Sequence, residues 1–286
     1  MRSARCVAAS LFVAALAVGG CTNSTAVSAT GTASAPASAS APESDVASAG
    51  APPAAAAAPP VVVASPGDVS SPTLPTPMTV VEIGDSLGED LGFGLHDVLR
   101  SFEGVELVQA AKGNSGLVQP QYYDWPTHLS TLLAAHRPDV VVVFIGANDV
   151  QDFYAGGVLQ QFGTVGWKQA YAQRVATLMA EATAAGAKML WVGMPVMKSA
   201  TFSSSMAKLN DIFQAQAAVH PGVTYFPSWD LFTDATGRYV KTAQIDGKSV
   251  TLRTPDGVHI TFGNGGGGAD MLARAVVGAL PGLLAG

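Results

Sequence analysis

Four short segments of the chain carry residue types that together can cleave an ester through a serine nucleophile. In chain order they are Gly84-Asp85-Ser86-Leu87, Gly116, Gly146-Ala147-Asn148-Asp149 and Asp256-Gly257-Val258-His259. A serine hydroxyl attacks a carbonyl group when a base takes its proton, and a histidine oriented by a carboxylate is such a base. Turn or cap geometry is sufficient to account for each segment alone, but not for their order along the chain.

The nucleophile predicted from this pattern is Ser86, and the predicted base is His259. Ser86 follows the apolar run Val80-Val81-Glu82-Ile83 and is therefore expected at a strand-to-helix turn, where Asp85 fixes the turn. Asp256 precedes His259 with a glycine between them, so its carboxylate can point at one imidazole nitrogen while the other faces Ser86. The other histidines have no carboxylate at useful spacing and are expected in surface or packing roles: His96, His128, His136 and His220.

The four segments resemble the sequence blocks of the SGNH (GDSL) hydrolase superfamily, over about residues 78–281. This resemblance implies a flavodoxin-like three-layer α/β/α sandwich with a central parallel sheet, and a serine esterase that needs no cofactor. It also implies an oxyanion hole, a set of donors for the negative charge that develops on the carbonyl oxygen. Its donors would be the backbone amide of Ser86, the backbone amide of Gly116 (with Gly113 as the alternative) and the side-chain amide of Asn148.

Two further features resemble a narrower group of exported bacterial SGNH proteins, most of which have no known function. They are Gln151 and the segment Tyr122-Tyr123-Asp124-Trp125-Pro126. The aromatic residues of this segment, together with Trp167, either line an acyl or sugar site or belong to the core. Asp149 and Gln151 are expected to brace the loop that carries Asn148.

The N-terminus is typical of a bacterial export signal over residues 1–20. Arg2 and Arg5 precede an apolar stretch over 7–18 that is too short to span a bilayer comfortably. Val18-Gly19-Gly20-Cys21 resembles a lipobox, which predicts that Cys21 is lipidated; an ordinary secretory signal is the alternative. Cys6, the only other cysteine, leaves with the signal, so the mature protein is predicted to have neither a disulfide nor a cysteine metal site.

The composition divides the remainder into a tether and a single domain. Residues 21–77 are mostly Ala, Ser, Pro, Thr and Val, which predicts a disordered tether, and residues 78–286 are predicted to form the hydrolase domain. The chain has a formal net charge of −6, which disfavours nucleic-acid binding. We expect an exported lipoprotein, periplasmic or attached to the outer membrane, that meets the membrane only through its lipid.

Valine-rich apolar runs alternate with helical patterns, which predicts a parallel sheet buried on both faces. Strands are predicted at Thr79–Ile83, Val105–Val108, Val140–Ile145, Met189–Val192 and Val223–Phe226. Helices are predicted at Leu91–Ser101, Pro126–Ala135, Lys168–Ala185, Ser204–Ala218 and Ala269–Leu280, and a hairpin turn at Asp246-Gly247. Because sites form beyond the carboxyl ends of parallel strands, Ser86 and Asn148 are expected at the same edge of the sheet.

These observations predict an esterase that hydrolyses acetyl or other short acyl esters, on envelope or extracellular polysaccharide. One alternative is an O-acyltransferase that uses the same residues, with a sugar hydroxyl in place of water. The others are a non-catalytic binding module of the cell envelope and a structural envelope lipoprotein. The presence of Ser86, Asp256 and His259 together argues against the binding module, and the structural alternative would require the four segments to be accidental.

Overall fold

The computed structural model describes residues 72–263 and 266–286. The predicted export signal, Cys21 and the predicted tether up to residue 71 lie outside the described residues. In chain order the elements are β1 (Met78–Gly84), α1 (Ser86–Leu99), β2 (Val105–Gln109), α2 (Trp125–His136), β3 (Val140–Phe144), β4 (Phe153–Ala155), β5 (Val158–Gln160), α3 (Val165–Ala184), β6 (Lys188–Val192), α4 (Ala200–Ala217), β7 (Val223–Phe226), a 3₁₀ helix (Trp229–Phe232), β8 (Thr242–Ile245), β9 (Lys248–Thr251) and α5 (Gly268–Ala285).

Five of the strands form one parallel sheet in the order β2-β1-β3-β6-β7. All five residues of the central strand β3 are apolar and buried, as expected for a strand that is covered on both faces. Helices α1 and α5 pack together over one face, and α2, α3 and α4 form a second layer. The arrangement confirms the predicted three-layer α/β/α sandwich around a parallel sheet.

Helix α5 is the one described helix that is long and apolar enough to cross a membrane, and half of it is buried inside the domain. It packs against α1 and against β6 and β7. Its apolar character therefore follows from its place in the core of the domain.

Helix α1 begins five residues earlier than the sequence predicts, at Ser86 rather than Leu91. Several glycines lower the helix propensity of this segment, which hides its start from a pattern-based prediction. The structure shows why glycine is needed: a Cβ atom on Gly94 would lie 2.3 Å from the carbonyl oxygen of Ala269. The glycines allow α1 to approach α5 and the sheet closely.

Two hairpins lie outside the main sheet. The predicted hairpin at Asp246-Gly247 is confirmed, since β8 and β9 pair antiparallel on either side of it. A second hairpin, β4–β5, was not predicted. It turns at Gly156-Gly157, where both residues have positive φ angles of 57° and 79°, and adjacent glycines are a hairpin signal in the sequence.

Candidate active site

The side chains of Ser86, His259 and Asp256 form a continuous hydrogen-bonded chain. Nε2 of His259 lies 2.9 Å from Oγ of Ser86, and Nδ1 lies 2.7 Å from Oδ2 of Asp256. Ser86 is the first residue of α1, directly beyond β1, and His259 lies in the loop before α5. The structure thus brings together the three residues predicted as nucleophile, base and orienting carboxylate, in the geometry of a serine hydrolase triad.

The Asp256 carboxylate is held by several donors besides the histidine. Oδ1 accepts the hydroxyl of Thr254 at 2.6 Å and the amides of Val258 and His259 at 2.8 and 3.1 Å. Partial burial acts to raise the pKa of Asp256, but the hydrogen bonds from the His259 side chain, Thr254 and the two amides together hold it well below its usual value. The carboxylate is therefore charged at neutral pH and can stabilise an imidazolium ion on His259.

Arg253 holds the loop that carries His259 through hydrogen bonds to its backbone. The sequence patterns did not predict this residue. It is completely buried, and its guanidinium donates to the carbonyl oxygens of Val196 at 2.7 Å, Val258 at 2.5 Å and His259 at 3.3 Å. Burial lowers the pKa of Arg253 to about 10, which leaves it charged at neutral pH. The carbonyl oxygens that it contacts belong to the backbone, and Val196 is 57 residues away, so no side-chain pattern in the sequence reveals its role.

Asp85 fixes the serine turn, as predicted, and also joins it to a second turn. It is the N-cap of α1, and its Oδ1 accepts the amide of Leu87 at 2.9 Å. Its Oδ2 accepts the amides of Gly146 and Ala147, both at 2.9 Å. Desolvation raises the pKa of this buried carboxyl to about 7, against the effect of the amide donors. One side chain therefore sets the distance between the Ser86 and Asn148 turns.

The predicted oxyanion donors lie around this junction. The amide of Ser86 has no helical acceptor because it belongs to the first turn of α1. The side-chain nitrogen of Asn148 donates one hydrogen to the carbonyl oxygen of Ser115 at 2.9 Å, which ties it to the residue before Gly116. The rival Gly113 donates its amide to Oε1 of Glu89 at 2.7 Å. Its amide is thus already engaged, and the local geometry favours Gly116.

Asp149 and Gln151 brace the Asn148 loop, as expected. Gln151 donates its side-chain amide to the carbonyl oxygen of Asn148 at 2.5 Å. The buried Asp149 accepts the hydroxyl of Tyr171 at 2.7 Å. A Cβ atom on Gly116 would lie only 2.3 Å from Oδ1 of Asp149. Glycine at position 116 is therefore required for the second and third segments to meet.

A cleft of about 210 Å³ opens beside Gly116, between the start of α2 and the middle of α3. Its lining is mostly apolar and consists of Gly116, Leu117, Pro120, Tyr123, Asp124, Trp125, Pro126, Arg174 and Thr177. Tyr123 and Trp125 thus line this cleft, and Trp125 is also part of the core. Trp167 belongs to the core, where it stacks on Tyr171 with ring centroids 4.7 Å apart.

Comparison with known proteins assigns a family and a fold. The family described as "Protein of unknown function (DUF459)" matches residues 79–279. No curated protein matches the chain significantly. Among solved structures, a Bacteroides fragilis protein classed as an acylhydrolase is 17% identical, with a TM-score of 0.51 over 74% of this chain and 92% of that one.

An alpha/beta hydrolase enzyme from the metagenome of Lake Arreo, Spain, is 14% identical to the chain. The similarity has a TM-score of 0.52 and covers 74% of this chain and 97% of the other. At these identities the likeness establishes the fold. The family match agrees with the predicted resemblance to a group of proteins of which most have no known function.

Proposed function

The chain belongs to the DUF459 family, and we propose that it is a serine esterase that hydrolyses short acyl esters. The observation that carries the proposal is the hydrogen-bonded chain from Ser86 through His259 to Asp256, with contacts of 2.9 and 2.7 Å. A nucleophilic serine requires a histidine that is oriented by a carboxylate to take its proton, whereas a serine with a structural role does not. The neighbouring donors at Gly116 and Asn148 support the same reaction.

In the proposed reaction Oγ of Ser86 attacks the carbonyl carbon of the ester while Nε2 of His259 takes the hydroxyl proton. The carbonyl oxygen becomes negative and is stabilised by the amides of Ser86 and Gly116 and by the side chain of Asn148. When the C–O bond breaks, His259 returns the proton to the departing alcohol. Water then attacks the acyl-serine by the same route and releases the acid.

The cleft beside Gly116 supports a short acyl group. Gly116, one of the proposed oxyanion donors, also lines this cleft, together with Leu117, Tyr123 and Trp125. Its volume of about 210 Å³ is below the range of about 300–1,000 Å³ that holds drug-sized ligands. We therefore propose acetyl or other short acyl groups. Envelope or extracellular polysaccharide is proposed as their carrier because the sequence predicts an exported protein.

The test combines a covalent probe with a series of substrates. The purified domain is treated with a fluorophosphonate to label the nucleophile. Its hydrolysis of p-nitrophenyl esters from acetate to decanoate is then measured, and acetylated polysaccharides are tested as substrates after that. We expect labelling at Ser86 and a loss of at least about 10³-fold in kcat for Ser86→Ala. A folded Ser86→Ala protein with wild-type turnover would refute the proposal. Acyl transfer to a sugar faster than hydrolysis would identify a transferase instead.

We also propose that the protein is anchored through lipid on Cys21, which lies outside the described residues. The chain enters the domain at the amino end of β1, at Met78, whereas Ser86 follows the carboxyl end of the same strand. The point where the described chain enters the domain thus lies at the end of β1 opposite the candidate site. Intact mass of the membrane fraction tests the anchor: Cys21→Ser should release the protein or leave it unprocessed, and a mature N-terminus elsewhere without acyl mass would contradict it.

A further inference from the structure

Ser86 and Asp90 lie four residues apart on α1, so their side chains project from the same face of the helix, one turn apart. Oγ of Ser86 meets Nε2 of His259, and Oδ2 of Asp90 accepts the backbone amide of Ile260 at 2.8 Å. Two successive residues of the histidine loop therefore contact two successive turns of the helix that carries the serine. The pitch of α1 sets where the imidazole lies relative to the hydroxyl.

We propose that Asp90 is a positioning residue that holds the His259 loop in register with Ser86. The inference rests on the proposed function, because it concerns the same site. It assigns a task to a buried carboxylate that lies outside the triad and the oxyanion donors. Asp90 does not need to touch the substrate to act in this way.

The hydrogen bond between Asp90 and the Ile260 amide is buried, so its loss should be costly. Asp90 is only 6% exposed and Ile260 is completely buried, so the loss of the acceptor leaves a buried amide without a partner, which is costly. The loop is also held from its other side by Arg253, which donates to the carbonyl oxygens of Val258 and His259. Asp90 and Arg253 thus bind opposite backbone groups of the same loop, and either loss would let the imidazole move.

The charge of Asp90 should also affect the pH dependence of kcat/KM, which a purely structural contact would not do. Burial raises the pKa of Asp90 to about 6, against the Ile260 amide and His259, which lower it. The other charged groups that act on this region are Glu89 and Asp256, which raise the pKa of Asp90, and Arg253, whose own pKa is raised by Asp90. A negative charge beside the site favours the protonated form of the free enzyme, so neutralisation of Asp90 should move the acid limb of the kcat/KM profile to lower pH.

The test compares Asp90→Ala and Asp90→Asn with the wild type. Asp97→Asn serves as the control, since it removes a carboxylate of the same helix that lies 3.4 Å from His96. Asp90→Ala should lower kcat by about 10- to 100-fold with little change in KM, because misplaced catalytic groups cost rate rather than binding. Asp90→Asn keeps an acceptor oxygen for Ile260 and should restore most of kcat, with the acid limb moved to lower pH.

Hydrogen exchange over residues 254–263 supplies a readout that does not need turnover. Exchange should be faster in Asp90→Ala than in the wild type, Asp90→Asn and Asp97→Asn. Unchanged exchange in Asp90→Ala, or faster exchange with wild-type kcat, would overturn the inference. Equal loss of kcat in both Asp90 variants without a shift of the acid limb would also overturn it. If Ser86→Ala keeps full activity, the proposed function fails, while the exchange result still decides whether Asp90 holds the loop.

Discussion

Oδ2 of Asp85 accepts the backbone amide of Gly146 at 2.9 Å, across 61 residues of sequence. The bond joins the turn after β1, which carries Ser86, to the turn after β3, which carries Asn148. The backbone of Gly146 has a φ of 143°, and a Cβ atom there would lie 2.8 Å from the sulfur of Met194. The side chain of Asp85 therefore joins two of the four sequence segments directly.

Asp85→Ala should destabilise the domain and abolish turnover. The substitution leaves the amides of Leu87, Gly146 and Ala147 without their acceptor. Since a carboxylate that accepts buried hydrogen bonds is removed, we expect a loss of about 3 kcal/mol or more in the free energy of unfolding. Urea denaturation measures it, with Asp230→Ala, which removes an exposed carboxylate, as the control. Equal stability of the two variants would contradict the role of Asp85.

The main sheet was predictable because its signal is local. The valine-rich run of β3 is buried on both faces, and a short run of this kind is typical of a central strand in a parallel sheet. Element ends were less predictable where tertiary contacts override propensity. The glycines of α1 weaken the helix in isolation, yet Gly94 is the residue that lets α1 approach Ala269. The start of α1 at Ser86 is clear only once that packing is known.

The candidate site was predictable to the extent that its residues lie in short recurrent segments. Ser86, Asn148 and the pair Asp256 and His259 have recognisable neighbours in sequence. Asp90 and Arg253 do not: Asp90 contacts a residue 170 positions away, and Arg253 donates to Val196, 57 positions away. Their partners are backbone groups, which are present at every position and leave no sequence signal.

Asn148→Ala should lower kcat by about 10²–10³-fold with a smaller change in KM, because an oxyanion donor acts mainly in the transition state. Asn148→Asp is the matched variant: it keeps the shape of the side chain but replaces the donor by an acceptor, and it should lose at least as much. Steady-state kinetics on a short p-nitrophenyl ester measure both. A change confined to KM would instead make Asn148 a residue that binds the ground state.

Tyr123→Ala should widen the range of acyl chains that the enzyme accepts. Tyr123 lines the cleft beside Gly116, where its ring stacks on His128 with centroids 3.8 Å apart. In the proposed function the acyl group occupies this cleft, and removal of the ring lengthens it. The ratio of kcat/KM for octanoate to that for acetate should therefore rise by about tenfold or more, the lower limit for one methylene group in an apolar pocket. Tyr154→Ala, on the exposed hairpin, is the control. An unchanged ratio would place the acyl group elsewhere.

Arg253→Met should reduce both stability and kcat. The apolar side chain fills much of the same volume but leaves the carbonyl oxygens of Val196, Val258 and His259 without this donor, which costs about 3 kcal/mol or more. The Asp256–His259 loop then loses the hydrogen bonds that Arg253 donates to its backbone. Urea denaturation and kcat are measured together, with Arg238→Met as the exposed control. A variant with wild-type stability and turnover would show that the loop does not depend on Arg253.

The free energy of unfolding should fall as the pH rises from about 4.5 to 7.5, with Glu82 as a principal cause. Glu82 is completely buried in β1, and neither carboxyl oxygen accepts a hydrogen bond of ordinary geometry among the described residues. Desolvation raises the pKa of Glu82 well above 4.5, although the nearby amides of Ala111 and Ala110 act against it. A Cβ atom on Gly88 would lie 2.9 Å from Oε1 of Glu82, so the carboxyl lies directly under α1.

The sign follows from proton binding. At a pH between the pKa of Glu82 in the unfolded chain and its raised pKa in the folded protein, the folded protein binds more protons than the unfolded chain does. The free energy of unfolding is therefore highest at low pH and falls as the pH rises. Each such proton changes the free energy of unfolding by about 1.4 kcal/mol per pH unit. Asp85 and Asp90, with pKa values raised to about 7 and 6, act in the same direction. The lowered pKa of Asp256 acts in the opposite direction, but below this window.

Glu82→Gln should flatten this slope and make the domain more stable than the wild type at pH 7.5. The amide has the same shape and no proton to lose, so the burial of a charge no longer opposes folding as the pH rises. Urea denaturation at intervals between pH 4.5 and 7.5 measures the slope, and Glu106→Gln, which removes an exposed carboxylate of β2, is the control. An unchanged slope in Glu82→Gln would show that Glu82 is not a source of the pH dependence.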